Sequence, residues 1–117
     1  MSRYKQELGL KGEGLAVRFL RRKGYKIITR NFSCQFGEID IIARQKKTTV
    51  FIEVKTRTSC GFGTPEEALN SEKIIHLQRS AEFYIKKSAN PEGMFRFDVV
   101  SIILEKPPKV CLIENAF

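Results

Sequence analysis

The stretch GEIDIIARQKKTTVFIEVKTR, residues 37–57, determines how the sheet of this protein is built. Residues 38–44 and 49–57 are rich in β-branched and other apolar residues, and the short link between them is polar and basic. Two such runs joined by a link of this length are typical of an antiparallel hairpin with an exposed tip. The sequence therefore predicts two neighbouring β-strands over these two ranges.

Three acidic residues, Glu38, Asp40 and Glu53, lie within the predicted hairpin. A two-residue turn at positions 46–47 places Glu53 directly opposite Asp40 on one face of the pair. Like charges in opposed positions repel, so we expect a proton or a cation to lie between them. Lys55 is one candidate, and a divalent ion is another, because Mg²⁺ takes carboxylate, carbonyl and water oxygens as ligands. The other face of the hairpin is predicted to be apolar and consists of Ile39, Ile41, Ala43, Val50, Ile52 and Val54.

Patterns of apolar residues outside the hairpin predict two helices and three further strands. The helices are expected over residues 8–23, ending at Gly24, and over residues 71–87, beginning at Ser71. Strands are expected at 25–32, 94–104 and 110–115, and a loop at 58–65. The predicted buried stripes are Leu10, Ala16, Val17 and Leu20 on the first helix and Ile74, Leu77, Ala81, Tyr84 and Ile85 on the second.

The resulting element order is α-β-β-β-α-β-β. We predict a single α/β domain over residues 1–117, with a mixed central sheet flanked by helices. Glu13 interrupts the apolar stripe of the first helix. If that helix packs over the hairpin, Glu13 brings a third carboxylate to the pair formed by Asp40 and Glu53. The alternative is a surface network in which Lys55 and Arg57 neutralise the hairpin acids. The position of Glu13 argues against this alternative, because a surface network does not require an acid on the buried stripe of a helix.

The net charge of +8 is concentrated in the first part of the chain. Residues 1–30 hold nine Lys and Arg against two Glu, a balance of +7, residues 31–64 hold five against three, and residues 65–117 hold seven against eight. A local excess of this size is expected of a face that binds phosphate groups, and an acidic protein partner fits it equally well.

The cysteines and the terminal sequence indicate a cytoplasmic protein. Cys34, Cys60 and Cys111 are odd in number, lie far apart and lack the spacing of a zinc site, so they are expected to be reduced thiols. The amino terminus lacks the apolar run of a signal peptide, and no segment reaches the length of a membrane span. We therefore expect no membrane association.

Asp40, followed by Glu53-Val54-Lys55 at the end of the next strand, resembles the D…ExK signature of the PD-(D/E)XK nuclease superfamily. The predicted element order is also similar to the restriction-endonuclease-like core of that superfamily. A narrower resemblance, covering nearly the whole chain, is to the YraN-like family of predicted endonucleases, which is similar in layout to archaeal Holliday-junction resolvases. It is based on KGEGLAVRFLRRKGYKIITRNF (11–32), GEIDIIA (37–43), VFIEVKTR (50–57), the helix of Lys73, RFDVV (96–100) and IENAF (113–117). The proline of the superfamily name is replaced by Ile39, which leaves the expected metal ligands in place.

The resemblance implies a metal-dependent endonuclease that hydrolyses phosphodiester bonds in DNA, with branched or structured DNA as the expected substrate. Asp40 and Glu53 would bind Mg²⁺ or Mn²⁺ together with the carbonyl of Val54. Glu13 would be an additional ligand. Lys55 would orient the attacking water and stabilise charge on the phosphate. The residues expected to contact nucleic acid are Arg18, Arg22, Arg57, Lys73 and Gln78.

Two other functions are consistent with the same residues. One is a nucleic-acid-binding module of the same fold that does not cleave, and the other is an adaptor that binds an acidic protein partner. A homodimer is expected only by analogy with junction-cutting relatives, since two nicks need two sites. The remaining polar candidates receive structural interpretations: His76 is expected on the helix surface, and Asp98 is expected to pair with Arg96 or with a helix.

Overall fold

The computed structural model describes residues 3–58, 71–88 and 93–117. The predicted order of elements is confirmed within these ranges, and the strands form one five-stranded sheet in the order β1-β2-β3-β4-β5. β3 and β4 are parallel, whereas the other neighbours are antiparallel, so the sheet is mixed, as predicted. The elements are α1 (Arg3–Arg22), β1 (Lys26–Cys34), β2 (Gly37–Gln45), β3 (Thr48–Arg57), α2 (Ser71–Lys87), β4 (Met94–Ile103) and β5 (Lys109–Ile113).

The central hairpin has the predicted turn and register. Lys46 and Lys47 form the turn between β2 and β3, and Gln45 pairs with Thr48. Further along, Ile42 lies opposite Phe51, so the apolar positions of the two strands face the same sides of the sheet.

The two helices cover opposite faces of the sheet. α1 buries Ala16, Val17 and Leu20 against one face, and α2 buries Leu77 and Ala81 against the other. Each fully buried large aliphatic side chain contributes about 1.5–3 kcal/mol to stability. The apolar contacts of α1 and α2 therefore stabilise the sheet between the two helices. The sheet residues under α1 include Ile41, Ala43, Val50, Ile52, Val100 and Ile102, and those under α2 include Ile39, Ile42 and Phe51.

Two predicted core positions differ from expectation. Leu10 is 65% exposed, because α1 approaches β3 at Gly12, next to Thr56 near the end of that strand, and Leu10 lies beyond it. Ile39 is buried, but it packs under α2 rather than with Ile41 under α1. Its partner on β1 is Phe32, which follows a residue with a left-handed backbone and also packs under α2, so the alternation of faces is interrupted at this point.

The end of α1 is fixed by a left-handed glycine, as the sequence predicts. Gly24 has φ 89°, and its N–H donates to the carbonyl of Arg21 at 3.1 Å. The N–H of Tyr25 donates to the carbonyl of Leu20 at 3.0 Å, and both of these side chains are buried in the α1 layer. This is a Schellman motif with its apolar contact, and it turns the chain directly into β1.

Asp98 occupies a buried polar network and confirms the predicted pairing with Arg96. Its carboxylate accepts hydrogen bonds from Arg96 Nε at 2.9 Å, from Tyr25 Oη at 2.9 Å and from the N–H of Asn115 at 2.9 Å. Arg96 Nη2 also donates to Gln45 Oε1 at 2.8 Å. Because every partner is satisfied, this network ties the chain after β5 to β4 and to the start of β1, and Asp98 has a structural role.

Some sequence predictions lie outside the described residues. They include Cys60, most of the loop at 58–65 and most of the break between α2 and β4. Cys34 and Cys111 are free thiols, as predicted. In the described part of the chain, neither helix is long and apolar enough to cross a bilayer.

Candidate active site

The pairing of β2 and β3 ends where the predicted acidic site begins. The last paired residues are Ile41 and Ile52. Beyond them, the N–H of Val54 donates a hydrogen bond to Oδ2 of Asp40 at 2.8 Å. The acceptor of this hydrogen bond is therefore a side chain of β2 and not a backbone carbonyl. This contact fixes one oxygen of the Asp40 carboxylate beside the end of β3.

Asp40 and Glu53 line one open cavity of about 310 Å³ under the first turns of α2. Glu53 is a charged residue but is only 8% exposed, because it is on the same face of β3 as the buried Phe51. The carboxylates predicted to lie together therefore do share a pocket. Its other described lining residues are Glu38, Lys73, His76 and Leu77.

Two lysines neutralise Glu53. Lys73 Nζ on α2 lies 3.1 Å from Glu53 Oε1, and Lys55 Nζ on β3 lies 3.6 Å from the same oxygen. The position of Lys55, two residues beyond Glu53, places both side chains on one face of β3. Lys73 reaches the pocket from the first turn of α2, which crosses above the open end of the hairpin, where β2 begins and β3 ends.

The electrostatic environment raises the pKa of Asp40 to about 7. Burial is the largest cause, and the charge of Glu53 is the second. The hydrogen bond from Val54 and the charge of Lys73 act in the opposite direction. Repulsion by Glu53, as predicted from the hairpin register, is therefore one of the causes that raise the pKa of Asp40.

The two lysines are perturbed in opposite directions. Burial, followed by the hydrogen bond to Lys73, lowers the pKa of Lys55. Burial would also lower the pKa of Lys73, but its hydrogen bond to Lys55 and the charge of Glu53 outweigh burial and raise it. The distances agree with these directions, since Lys73 is closer to Glu53 and retains its proton more strongly. Lys55 is thus the lysine that gives up a proton more easily.

Glu13 lies near this site, but its hydrogen-bond partners are residues of β1 that do not line the cavity. A Cβ atom at Gly12 would come within 2.9 Å of Cβ of Thr56, so the glycine is what allows α1 to approach β3 closely. Glu13 is 8% exposed, and its Oε1 accepts hydrogen bonds from Arg30 Nε and Asn31 Nδ2, both at 3.1 Å. Its charge contributes to the raised pKa of Asp40, so the two carboxylates interact across the sheet. Glu13 does not line the cavity that Asp40 and Glu53 share.

Among the residues that the structure describes, no group of three or more His, Cys, Asp or Glu side chains is arranged to hold a metal ion. The pair of Asp40 and Glu53 nevertheless fits a Mg²⁺ or Mn²⁺ ion in its donor chemistry. Mg²⁺ in phosphate-processing sites is bound by one or two carboxylates, with water and substrate phosphate as the remaining ligands. A cation at this position would also relieve the repulsion that raises the pKa of Asp40.

The residues predicted to contact nucleic acid lie on both sides of the sheet. Lys73 lines the cavity, Arg57 is half-buried at the end of β3, and Gln78 is exposed on α2. Arg18 and Arg22 are exposed on α1, which packs on the opposite face. Of these residues, Lys73 lines the acidic pocket, Arg57 and Gln78 lie on elements that carry pocket residues, and Arg18 and Arg22 lie on the opposite side of the sheet.

The sequence interpretation missed one wall of the pocket. His76 is exposed, as predicted, but it also lines the cavity beside Asp40 and Glu53. Its Nδ1 lies 3.0 Å from the carbonyl oxygen of Phe36, which can only accept, so Nδ1 carries the proton. The one available signal is the spacing of three residues from Lys73, which places both on neighbouring turns of α2.

The chain is similar to proteins from several bacteria. A protein of Caldicellulosiruptor saccharolyticus is 47% identical over 116 residues, which cover 97% of this chain and 98% of that protein. A protein of Geobacter metallireducens is 47% identical over 118 residues, covering 100% of this chain and 97% of that protein. Both are named only as UPF0102 proteins. The sequence profile described as "Uncharacterised protein family UPF0102" matches residues 12–102, which include α1 from Gly12 onward, the hairpin and α2. The chain therefore belongs to the uncharacterised protein family UPF0102.

Proposed function

We propose that this protein is a divalent-metal-dependent endonuclease that hydrolyses phosphodiester bonds in DNA at the pocket of Asp40 and Glu53. One observation carries the proposal. A nearly buried Glu53 and an Asp40 whose pKa is raised to about 7 share one cavity, with two lysines on Glu53. Perturbed carboxylates and lysines that converge on a cavity are typical of catalytic sites.

Asp40 and Glu53 would hold the metal ion, with the carbonyl of Val54 as a further ligand. When bound, the ion supplies a polarised water and neutralises negative charge on the phosphate. The hydrogen bond from Val54 to Oδ2 fixes the orientation of the Asp40 carboxylate. Glu13 supports the site through its charge, and Arg30 and Asn31 hold it in place.

The lysines have separate roles in this proposal. Lys55, with its lowered pKa, is suited to accept a proton from water near the phosphate or to donate a hydrogen bond to the phosphate oxygens. Lys73, which stays protonated, attracts the phosphate to the pocket and competes with a metal ion for Glu53. Arg57 and Gln78 extend the surface available to the DNA backbone.

The identity of the substrate follows from the resemblance rather than from the pocket. The D…ExK arrangement at Asp40, Glu53 and Lys55 and the element order are similar to those of the YraN-like predicted endonucleases. We propose branched or structured DNA as the substrate, cut by a homodimer with one site in each subunit. Phosphate contacts from basic side chains supply affinity without reading base sequence.

The alternative is a module of the same fold that binds nucleic acid without cleaving it. The observation that favours it is the neutralisation of Glu53 by Lys55 and Lys73, which satisfies this carboxylate without a metal ion. The raised pKa of Asp40 favours the nuclease, because Lys73 offsets only part of the burial and repulsion that destabilise the Asp40 carboxylate.

The test is a cleavage assay with linear, flapped and four-way DNA substrates in the presence of Mg²⁺ or Mn²⁺. We expect the Lys55→Ala protein to cleave about a hundredfold more slowly, because it lacks one group that stabilises transition-state charge. Arg79→Ala is the matched control, since Arg79 is an exposed residue of α2 that does not line the pocket, and it should cleave at the original rate.

Three results would contradict the proposal. Cleavage that continues in the presence of a chelator would show that no metal ion is needed. Equal rates for the Lys55→Ala protein and the unchanged protein would assign the activity to a contaminant. Binding of DNA without cleavage of any substrate, under conditions that saturate the protein with Mn²⁺, would leave the binding module as the function.

A further inference from the structure

A second cavity, of about 660 Å³, lies at the opposite end of the sheet from the acidic pocket, and we name it the hairpin-end groove. Its basic lining residues are Lys26 on β1, Arg44 on β2 and the two turn residues Lys46 and Lys47. α2 connects the two cavities, because Lys73 and His76 from its first half line the acidic pocket, whereas Tyr84 lines the groove.

The groove has four positive charges that the described part of the chain does not neutralise. No described Asp or Glu lines it, and none forms an ion pair with its four basic side chains. Lys26 and Arg44 are directly opposed in the pairing of β1 with β2. Like charges in opposed positions destabilise a strand pair, so these two residues carry a local cost that a bound anion would relieve.

The turn residue Lys46 adds a backbone observation. Its φ is 54°, in the left-handed region that Asn and Gly adopt more readily than Lys. A lysine at this position is therefore not explained by the geometry of the turn. Its charge adds to that of Lys47 at the rim of the groove.

The other walls of the groove are apolar. Phe95 stacks on Phe51 with ring centroids 6.1 Å apart, and Tyr84 packs edge-on against the same ring at 5.9 Å. Both rings are partly exposed and line the groove, as does Ile28, which is 41% exposed. A cationic rim beside an apolar wall suits a phosphodiester backbone, whose phosphates would contact the rim and whose sugars would contact the wall.

We propose that the hairpin-end groove binds the phosphodiester backbone of a nucleic-acid strand, as a second contact separate from the acidic pocket. The choice of nucleic acid among polyanions rests on the proposed function. Six residues of extended β3 separate Lys47 from Glu53, a distance of about 20 Å. One strand of B-form DNA advances about 3.4 Å per nucleotide, so a strand held at both cavities would extend about six nucleotides between them.

The test measures the binding of a labelled DNA duplex of about twenty base pairs by fluorescence anisotropy, with a chelator present and at several salt concentrations. We expect K26E/R44E to raise Kd at least about tenfold near 0.1 M salt and to reduce the slope of log K against log salt by about two. K26Q/R44Q should give a smaller loss in the same direction. The control K11E/R21E makes the same change in charge on exposed residues of α1, on the other face of the sheet, and should change Kd less than about threefold.

The outcomes separate the groove from the nuclease. Selective loss of binding in K26E/R44E supports the groove even if the protein cleaves no DNA. Equal weakening by K26E/R44E and K11E/R21E would overturn the inference, because net charge alone would then explain binding. Unchanged duplex binding by K26E/R44E and K26Q/R44Q would also overturn the inference. This holds even if K26E/R44E no longer binds vesicles of phosphatidylglycerol, because the groove would then bind a different polyanion. The result of the cleavage assay does not depend on this outcome.

Discussion

At the scale of single residues, Asp40 is the most informative side chain of the hairpin. Its ordinary pKa of 3.8 is raised to about 7 in the folded protein, first by burial and then by the charge of Glu53. Glu53 has two lysines beside it, whereas Asp40 accepts a hydrogen bond from a neutral backbone N–H. The same geometry that destabilises the Asp40 carboxylate would favour the binding of a cation beside it.

This raised pKa predicts how stability depends on pH. The folded protein keeps a proton on Asp40 that the unfolded chain releases between pH of about 4 and 7. The free energy of unfolding should therefore fall as the pH rises through this window, with the full loss present above it. Asp40→Asn keeps an oxygen that can accept the N–H of Val54 but cannot ionise. We expect it to stabilise the metal-free protein by roughly 1–2 kcal/mol above this window and to have little effect below it.

Urea unfolding followed by circular dichroism, with a chelator present, measures this difference across the pH range. The control is Glu82→Gln, because Glu82 is an exposed acid of α2 that does not line the pocket, and its pH profile should follow that of the unchanged protein. Parallel profiles for the Asp40→Asn protein and the unchanged protein would show that the pKa of Asp40 is not raised.

At the scale of elements, the close approach of α1 to β3 places Glu13 beside the hairpin. The helix touches the strand at Gly12 and Thr56 and then buries Ala16, Val17 and Leu20 along the sheet. Any side chain at position 12 would overlap Thr56, so helix and strand would have to separate. The contact that gives α1 its position thus also gives Glu13 its partners on β1.

Gly12→Ala tests this contact. We expect the substitution to lower the free energy of unfolding by about 1–3 kcal/mol, because the added methyl group overlaps Thr56. Gly14→Ala is the matched control: it lies in the same helix, its Cβ would meet no atom within 4 Å, and the substitution should stabilise the helix by up to about 1 kcal/mol. A Thr56→Ala change should recover part of the loss in the Gly12→Ala protein. Equal effects of Gly12→Ala and Gly14→Ala would show that the close approach is absent.

The sequence predicted most of this arrangement from local signals. The two-residue turn at 46–47 fixed the register that brings Asp40 and Glu53 to one pocket, and the apolar periodicity from Ser71 gave α2 its bounds. Contacts between distant elements were harder to predict. The partners of Glu13 depend on the path of β1 beside α1, and the role of His76 depends on where α2 crosses the sheet. The periodicity of each helix places Glu13 and His76 on a face, but it does not show which residues of other elements they contact.

At the scale of the whole molecule, the two faces of the sheet have different chemistry. The face under α2 holds the acidic pocket at one end of β3 and the hairpin-end groove at the other. The face under α1 is apolar in its core, with Arg18 and Arg22 on the outside of the helix. We therefore infer that a nucleic-acid substrate would lie along the α2 side of the sheet. Its phosphates would then contact the basic residues that line the two cavities.

Binding of Mn²⁺, followed by isothermal titration calorimetry near neutral pH, tests most directly whether Asp40 and Glu53 form a metal site. We expect saturable binding by the unchanged protein and by the Glu82→Gln protein, and an affinity at least about tenfold weaker for the Asp40→Asn protein. Mn²⁺ binding of equal strength in the Asp40→Asn and unchanged proteins, or no binding by the unchanged protein, would contradict a metal site formed by these two carboxylates.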